Sequence, residues 1–509
     1  MIEISGKNLT IEKVVRVARH KEKIKIGDSA IKKIKKSRQM VEDLVKNEEI
    51  VYGITTGFGR FSDQKISNTE TLKLQENLIK SHAAGCGEPL AEEVVRAMML
   101  LRINNLALGH SGIRYKTLRL LVDLLNNDIV PWIPEQGSVG ASGDLIPLAH
   151  MVLVMMGEGR AYYRDKLMKG SQALDECGLK AVKLKEKEGL ALINGTQMMT
   201  ALACLAVYDT KNLVQHADFA LSLSMEGLTG ILAAFDPDIQ NLRNHKGQKE
   251  VASNVRYLTE DSKLTVYKNP ERVQDSYTLR CAPQVHGASR SALAHVEKII
   301  SKEINAVTDN PLLFPEKDKV ISGGNFHGQP LALAVDYLAM AVSELGNISE
   351  RRIARMVDGS LNNDLEMFLT KKGGLNSGYM IVQYTAASLV AENKVLAGPS
   401  STDSIPTSAN QEDHVSMGAV GARKLRKIVN NLRQILAIEF IVAVQAIDLR
   451  TENPEKMLGK GSKLLYEKIR SHVPPLEDDR ELYQELNDVK KLIEKRILKK
   501  QIKGNIKIF

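Results

Sequence analysis

Residues 137–150 read GSVGASGDLIPLAH, placing Ser142 between Ala141 and Gly143 with Gly137 and Gly140 just upstream. Glycine admits tight backbone conformations and close approach at an entropic cost, so the stretch implies backbone contact around a single hydroxyl. Familiar serine and phosphate chemistries can be tested against the spacing. A nucleophile elbow reads G-x-S-x-G, but here Gly140-Ala141-Ser142-Gly143 runs into Asp144 and the last glycine is missing. Neither a GxGxxG fingerprint nor a GxxxxGK[ST] loop occurs. Taken alone, the stretch fits a plain glycine/serine turn between helices as well as it fits a reactive centre.

Other chemistries find less support. The eleven histidines contain no HExxH arrangement, and Cys86, Cys177, Cys204 and Cys281 form no CxxC pair, so neither a metal site nor a disulfide framework is expected. The net charge of +9 owes much to KKLIEKRILKKQIKGNIKIF, residues 490–509. Nucleic-acid binding wants basic residues interleaved with stacking aromatics. Phe509 is the single aromatic in that segment, while Leu492, Ile493, Ile497 and Leu498 recur at near-helical spacing, which reads as an amphipathic helix with a solvated face. No run of about 18 uncharged apolar residues is present, and MIEISGKNLTIEKVVRVARH is charged throughout with no signal-peptide core. The expectation is a cytoplasmic protein with no membrane and no nucleic-acid partner.

Chemistry at Ser142 needs elements to position it. The 509-residue chain is 43% hydrophobic and only 5% aromatic, and its abundant Ala, Leu and Lys lean towards helix. Length alone suggests roughly three domains, but no Pro/Ser-rich linker and no internal repeat divides the chain. Residues 1–200 read as a mixed α/β region, with short strand-like patterns at Tyr162-Tyr163 and Val182-Lys183-Leu184. Residues 201–509 read as a long-helix domain. Leu331, Val335, Leu338, Val342 and Leu345 form one apolar stripe, and a helix continuing through Arg355 would be roughly 40 Å long. Leu425, Ile428, Leu432 and Ile435 mark another running towards Gln445, and 201–226 and 290–306 look similar. Four long helices with short gaps predict a bundle in which the stripes are packing surfaces. The loops SGGNFHGQP (322–330), KKGGLNSGYM (371–380) and GPSSTDSIPTSANQEDH (398–414) are rich in small and polar residues. Together with the Ser142 stretch they suggest a site assembled from several segments.

Seven motifs carry a resemblance over nearly the whole chain: VYGITTGFGRF (51–61), SHAAGCG (81–87), GSVGASGDLIPLAH, ALINGTQ (191–197), SYTLRCAPQVHG (276–287), GGNFHGQP and SANQEDHVSMG (408–418). In this order the chain resembles the aromatic amino acid ammonia-lyases, and most closely the branch acting on histidine. The resemblance implies a mainly α fold: a long central helical bundle of the aspartase/fumarase type, with a smaller mixed N-terminal region carrying the Ser142 loop. It also implies a cofactor made from the chain, 4-methylideneimidazole-5-one (MIO), and no metal or nucleotide. The Gly143 nitrogen would attack the Ala141 carbonyl carbon and Ser142 would lose water. The residue types suit that closure, because side chains would obstruct a backbone nitrogen reaching a carbonyl two residues back. Ser142 is then the source of an electrophile, which no ordinary side chain supplies.

The same resemblance assigns the other roles. Tyr52 matches the base that removes the β-proton. A free tyrosine titrates near 10, so action near neutral pH calls for a lowered pKa or a positively biased setting. Arg280 matches the arginine that grips the substrate carboxylate, and Tyr277 a second functional tyrosine. Asn194 and Gln274 would hydrogen-bond the substrate or the MIO, and Phe326 would line the site. His82 and Glu412 would read an imidazole, since a carboxylate accepts from its N–H and suits an apolar ring poorly. Singly, each of these residues fits a capping or core role as well. Two departures flank the Tyr277/Arg280 segment: Ser276 stands where a proline is expected, and His286 where a methionine or valine is common.

The expected reaction is elimination of ammonia from L-histidine to give trans-urocanate, in a homotetramer whose active sites are each built from three subunits. A tyrosine or phenylalanine ammonia-lyase or aminomutase would share the MIO, and some aminomutases carry the pair present here as Ser81-His82. A fumarase-type lyase without MIO would need a GSSxMPxKxNP-like loop, which the chain lacks. A basic helical binding protein would leave these loops without a purpose and predicts salt-sensitive nucleic-acid affinity.

Overall fold

The computed structural model describes residues 1–57, 59–61, 66, 70–502 and 508–509. Phe58 of the VYGITTGFGRF motif and residues 503–507 of the basic C-terminal segment lie outside the described residues. The chain divides into two compact units. The first comprises Met1–Tyr208, Glu297–Asp336 and Pro399–Arg423; the second comprises Asp209–Val296, Tyr337–Gly398 and Lys424–Phe509. The mixed region expected over 1–200 therefore falls in a unit that also takes in two later segments.

The first unit mixes helices with small sheets. Ile2–Ile4 pairs in parallel with Ile24–Ile26, and Cys86–Pro89 runs antiparallel to Pro134–Gln136. Val130–Pro131, Arg160–Tyr163 and Lys166–Lys169 form a three-stranded antiparallel sheet, and Leu312–Phe314 pairs with Lys319–Ile321. Tyr162-Tyr163 is thus in a strand, as its pattern predicts. Val182–Leu184 is not. It makes one backbone bond, Val182 N–H to the Met155 carbonyl at 2.9 Å, and the Lys183 carbonyl accepts from the Arg114 guanidinium at 2.6 Å. An extended pattern needs a partner strand to become a sheet, and among the described residues this one has none. At the centre of the unit lies the helix Glu92–Leu106, buried at every position from Val94 to Leu106. A helix covered on all sides carries no amphipathic period.

The long helices of the chain include Gln197–Gly227, Ala282–Glu303, Gln329–Val357, Met380–Leu396 and Gly418–Arg450, of 31, 22, 29, 17 and 33 residues. Both predicted stripes are buried, Leu331 to Leu345 and Leu425 to Ile435 alike. In the second unit the helices also meet on buried polar groups. Glu439 accepts from Ser224 at 2.8 Å and from the Arg352 guanidinium at 2.5 and 2.9 Å. Arg352 in turn reaches His286 Nε2 at 3.4 Å, and His286 Nδ1 bonds Asp218 at 2.8 Å. His286 thus belongs to an internal network joining helices, and burial holds its imidazole below the usual range. Over 18 residues Gln329–Val357 is apolar enough to match a membrane span (mean hydropathy 1.3), but 67% of that window is buried within the protein, as in a core helix. The C-terminal helices Tyr483–Glu494 and Ile497–Ile502 bury Leu492, Ile493 and Leu498, half-bury Ile497, Lys490 and Lys499, and expose Lys491 and Lys500.

Candidate active site

The Ser142 loop begins where the strand Pro134–Gln136 ends and finishes at the helix Leu145–Met155. Two sets of contacts clamp it. Upstream of the serine, Ser416 Oγ donates to the Gly140 carbonyl at 2.9 Å and Met417 N–H to the Val139 carbonyl at 2.8 Å. Downstream, Asp144 N–H donates to the Gly195 carbonyl at 2.7 Å, and Asp144 accepts from Met199 N–H at 2.9 Å and Ser138 Oγ at 3.0 Å. Burial pushes the Asp144 carboxyl up to about 7, against those two donors and Met198. Gly143 sits at φ +70°, and a Cβ there would lie 2.2 Å from the Gly195 carbonyl oxygen. Only glycine fits. Within 140–144 the neighbours of Ser142 are buried and the serine alone keeps partial exposure.

Ser142, Ala141 and Gly143 line a cavity of about 390 Å³ together with His82, Thr407 and Glu412; Leu145 and Ile146 supply apolar wall. His82 ends the helix Thr71–His82, and its Nδ1 meets Ser81 Oγ at 3.1 Å. Desolvation lowers its pKa, while the Leu78 carbonyl and the Glu412 carboxylate pull it part of the way back, so the imidazole is neutral at neutral pH. Tyr52 lies within electrostatic reach of the same acid. Its phenol accepts from Gly59 N–H at 3.3 Å, and its pKa is raised, first by desolvation and then by the charges of Glu412 and Asp309. A base poised for neutral pH would show the opposite shift.

Asn194 is buried and does not line this cavity. Its Nδ2 donates to Asp309 at 3.3 Å and to the Asn310 carbonyl at 3.2 Å, leaving Oδ1 a buried acceptor without a partner. Asp309 also pairs with Lys187 at 2.9 Å, both side chains fully buried. Arg102 secures the backbone here, donating to the carbonyls of Asn194 (3.0 Å), Thr308 (3.3 Å) and Ala191 and to Gln197 Oε1 (2.9 Å). Burial brings its pKa down to about 10. Arg102, Lys187, Asp309 and Thr407 were outside the set read from sequence. A faint signal exists for Arg102, a lone cation in the apolar run AMMLLRINNL. Phe326 is partly buried in the turn before His327, whose ring stacks on His414 with centroids 5.7 Å apart, and it does not line the cavity.

The remaining expected residues belong to the second unit. Arg280 lies 4.4 Å over the Tyr277 ring and spends its Nε on the Asp275 carbonyl at 2.9 Å. Among the described residues its Nη atoms have no hydrogen-bond partner. Tyr277 is 69% exposed, and Gln274 is exposed as well. Ser276 has φ −60°, within the range proline would impose, so the replacement leaves the backbone path unchanged.

These features find close parallels. The aromatic amino acid lyase family model matches residues 9–471. The chain is 55% identical over 486 residues to a histidine ammonia-lyase of Caldanaerobacter subterraneus subsp. tengcongensis, covering 96% of this chain and 95% of that one. The crystal structure of histidine ammonia-lyase from Trypanosoma cruzi is similar with a TM-score of 0.92 and 43% identity, covering 99% of this chain and 95% of that one. A tyrosine aminomutase from Streptomyces globisporus reaches a TM-score of 0.94 at 36% identity, with both chains fully covered. Matched over most of its length, and in fold, the chain belongs to the aromatic amino acid lyase family.

Proposed function

We propose that this carbon–nitrogen lyase eliminates ammonia from L-histidine to give trans-urocanate, using MIO formed from Ala141-Ser142-Gly143. The observation that carries the reading is the shared cavity of the Ser142 tripeptide, His82 and Glu412. The tripeptide fits the cofactor: Gly143 has no room for a side chain, the loop is clamped at both ends, and the serine faces the cavity. The MIO supplies the electrophile that makes the substrate amine able to leave. Glu412 would accept from one imidazole N–H, and neutral His82 would bond the other ring nitrogen.

Tyr52 would take the β-proton. Its raised pKa means that a positive charge must be brought near it in the working site. Arg280 is suited to that: its free Nη atoms offer a bidentate grip on the substrate carboxylate. The exposure of Tyr277 and Gln274 supports a homotetramer in which these residues, contributed by another subunit, complete the site. Asn194 and Phe326 would add polar and aromatic lining. The four free cysteines fit a reducing, cytoplasmic setting.

Ultraviolet progress curves with L-histidine and L-tyrosine in parallel, with Ser142→Ala as the blank, test this. The expected result is a urocanate band from histidine that the variant does not produce. Coumarate from tyrosine alone would overturn the imidazole reading of His82 and Glu412. Product from neither would overturn the elimination.

A further inference from the structure

Glu412 is carried by a turn whose shape depends on one neighbour. We propose that Thr407 is a positioning residue for Glu412, its hydroxyl occupying one carboxylate oxygen so that the other is the acceptor offered to the substrate imidazole. This rests on the histidine reading above. Thr407 Oγ1 donates to Glu412 Oε2 at 2.8 Å, and both residues line the cavity. A carboxylate only accepts, so the direction of that bond is unambiguous. The two backbones are tied as well, Thr407 N–H to the Glu412 carbonyl at 2.9 Å and Glu412 N–H to the Thr407 carbonyl at 3.3 Å.

Between these ties Ser408, Ala409 and Asn410 hold φ of +52°, +51° and +65°. Successive left-handed residues are unfavourable for L side chains and persist where surrounding contacts over-determine them. The Thr407–Glu412 contacts close the turn and do so here. The turn also abuts the Tyr52 loop, for a Cβ at Gly59 would lie 2.9 Å from Ser408 Oγ. A glutamate on its own samples several rotamers. With Oε2 engaged, the carboxylate plane is held and a ring donor meets Oε1 in one orientation.

The test uses Thr407→Val, which keeps the branched shape and deletes the donor, and Thr407→Ser, which keeps the donor. Thr407→Ala stands in should the valine variant not fold, and intact mass reports whether each protein has lost the water of ring closure. Steady-state kinetics on L-histidine are run for each variant in the wild-type and Glu412→Ala backgrounds. Deleting the donor should raise KM about tenfold with a smaller change in kcat, and serine should restore it to within about threefold. In the Glu412→Ala background, with nothing left to position, deleting the donor should add no further loss. An unchanged KM, a serine variant as impaired as the valine one, or additive losses would each overturn the role. Wild-type protein inactive on histidine would instead overturn the substrate reading on which the role depends.

Discussion

Glu412 acts on three neighbours at once: it accepts the Thr407 hydroxyl, raises the Tyr52 phenol and draws His82 back towards its ordinary range. Glu412→Gln keeps the shape and deletes the charge. A charge-assisted hydrogen bond to the imidazole would be lost, so kcat/KM for histidine should fall roughly ten- to a hundredfold, chiefly through KM. The same change should move the acidic limb of the pH–rate profile, where the base loses its proton. A negative neighbour raises a phenol pKa, so its removal lowers that of Tyr52 and shifts the limb to lower pH. A profile that does not move would mean that this carboxylate does not act on the base.

At the scale of elements, the helix Gln197–Gly227 serves both units at a cost. Near its start Met199 N–H caps Asp144; near its end Glu226 places a buried carboxyl against Gly459 N–H at 2.9 Å. Burial pushes that carboxyl up to about 8 from 4.5. A raised acid holds its proton in the folded state where the unfolded chain has released it. Stability is therefore full below 4.5 and declines as pH rises through the folded value, the whole loss being on the order of a few kcal/mol. Glu226→Gln removes the titration. Thermal unfolding of the two proteins should show the variant gaining on the wild type between about pH 5 and about pH 8.5 and levelling off above that. A constant difference across that window would show that Glu226 does not titrate there.

At the scale of the molecule, the cavity and the Arg280 segment lie in separate units, and the proposed assembly joins them between subunits. Shared sites predict complementation. Ser142→Ala and Arg280→Met should each be inactive alone, yet co-expressed they should form hybrid tetramers with about a quarter of the wild-type rate, the fraction of sites that draw both intact segments at random. Two differently tagged chains purified in tandem, with activity measured on the hybrid, provide the check. No recovery in confirmed hybrids would mean that each subunit carries its own complete site.

Much of this protein is written locally. A helix needs only its own spacing to declare itself, so Leu331 to Leu345 and Leu425 to Ile435 could be read as buried stripes before any packing was known. The tripeptide Ala141-Ser142-Gly143 is likewise a contiguous motif. Patterns of this kind say which residues are apolar or unhindered, and they are silent on what covers them. Val182–Leu184 has the look of a strand and lacks a partner; Glu92–Leu106 is covered on every side and so shows no face. The Ser416 contact to Gly140 joins residues 276 positions apart, and Asp309 reaches Lys187 and Asn194 from more than a hundred positions away. Thr407 is one of many threonines until the turn folds back and sets its hydroxyl on Glu412. Long-range hydrogen bonds and buried charges form only where packing brings their partners together, and no local spacing encodes that meeting.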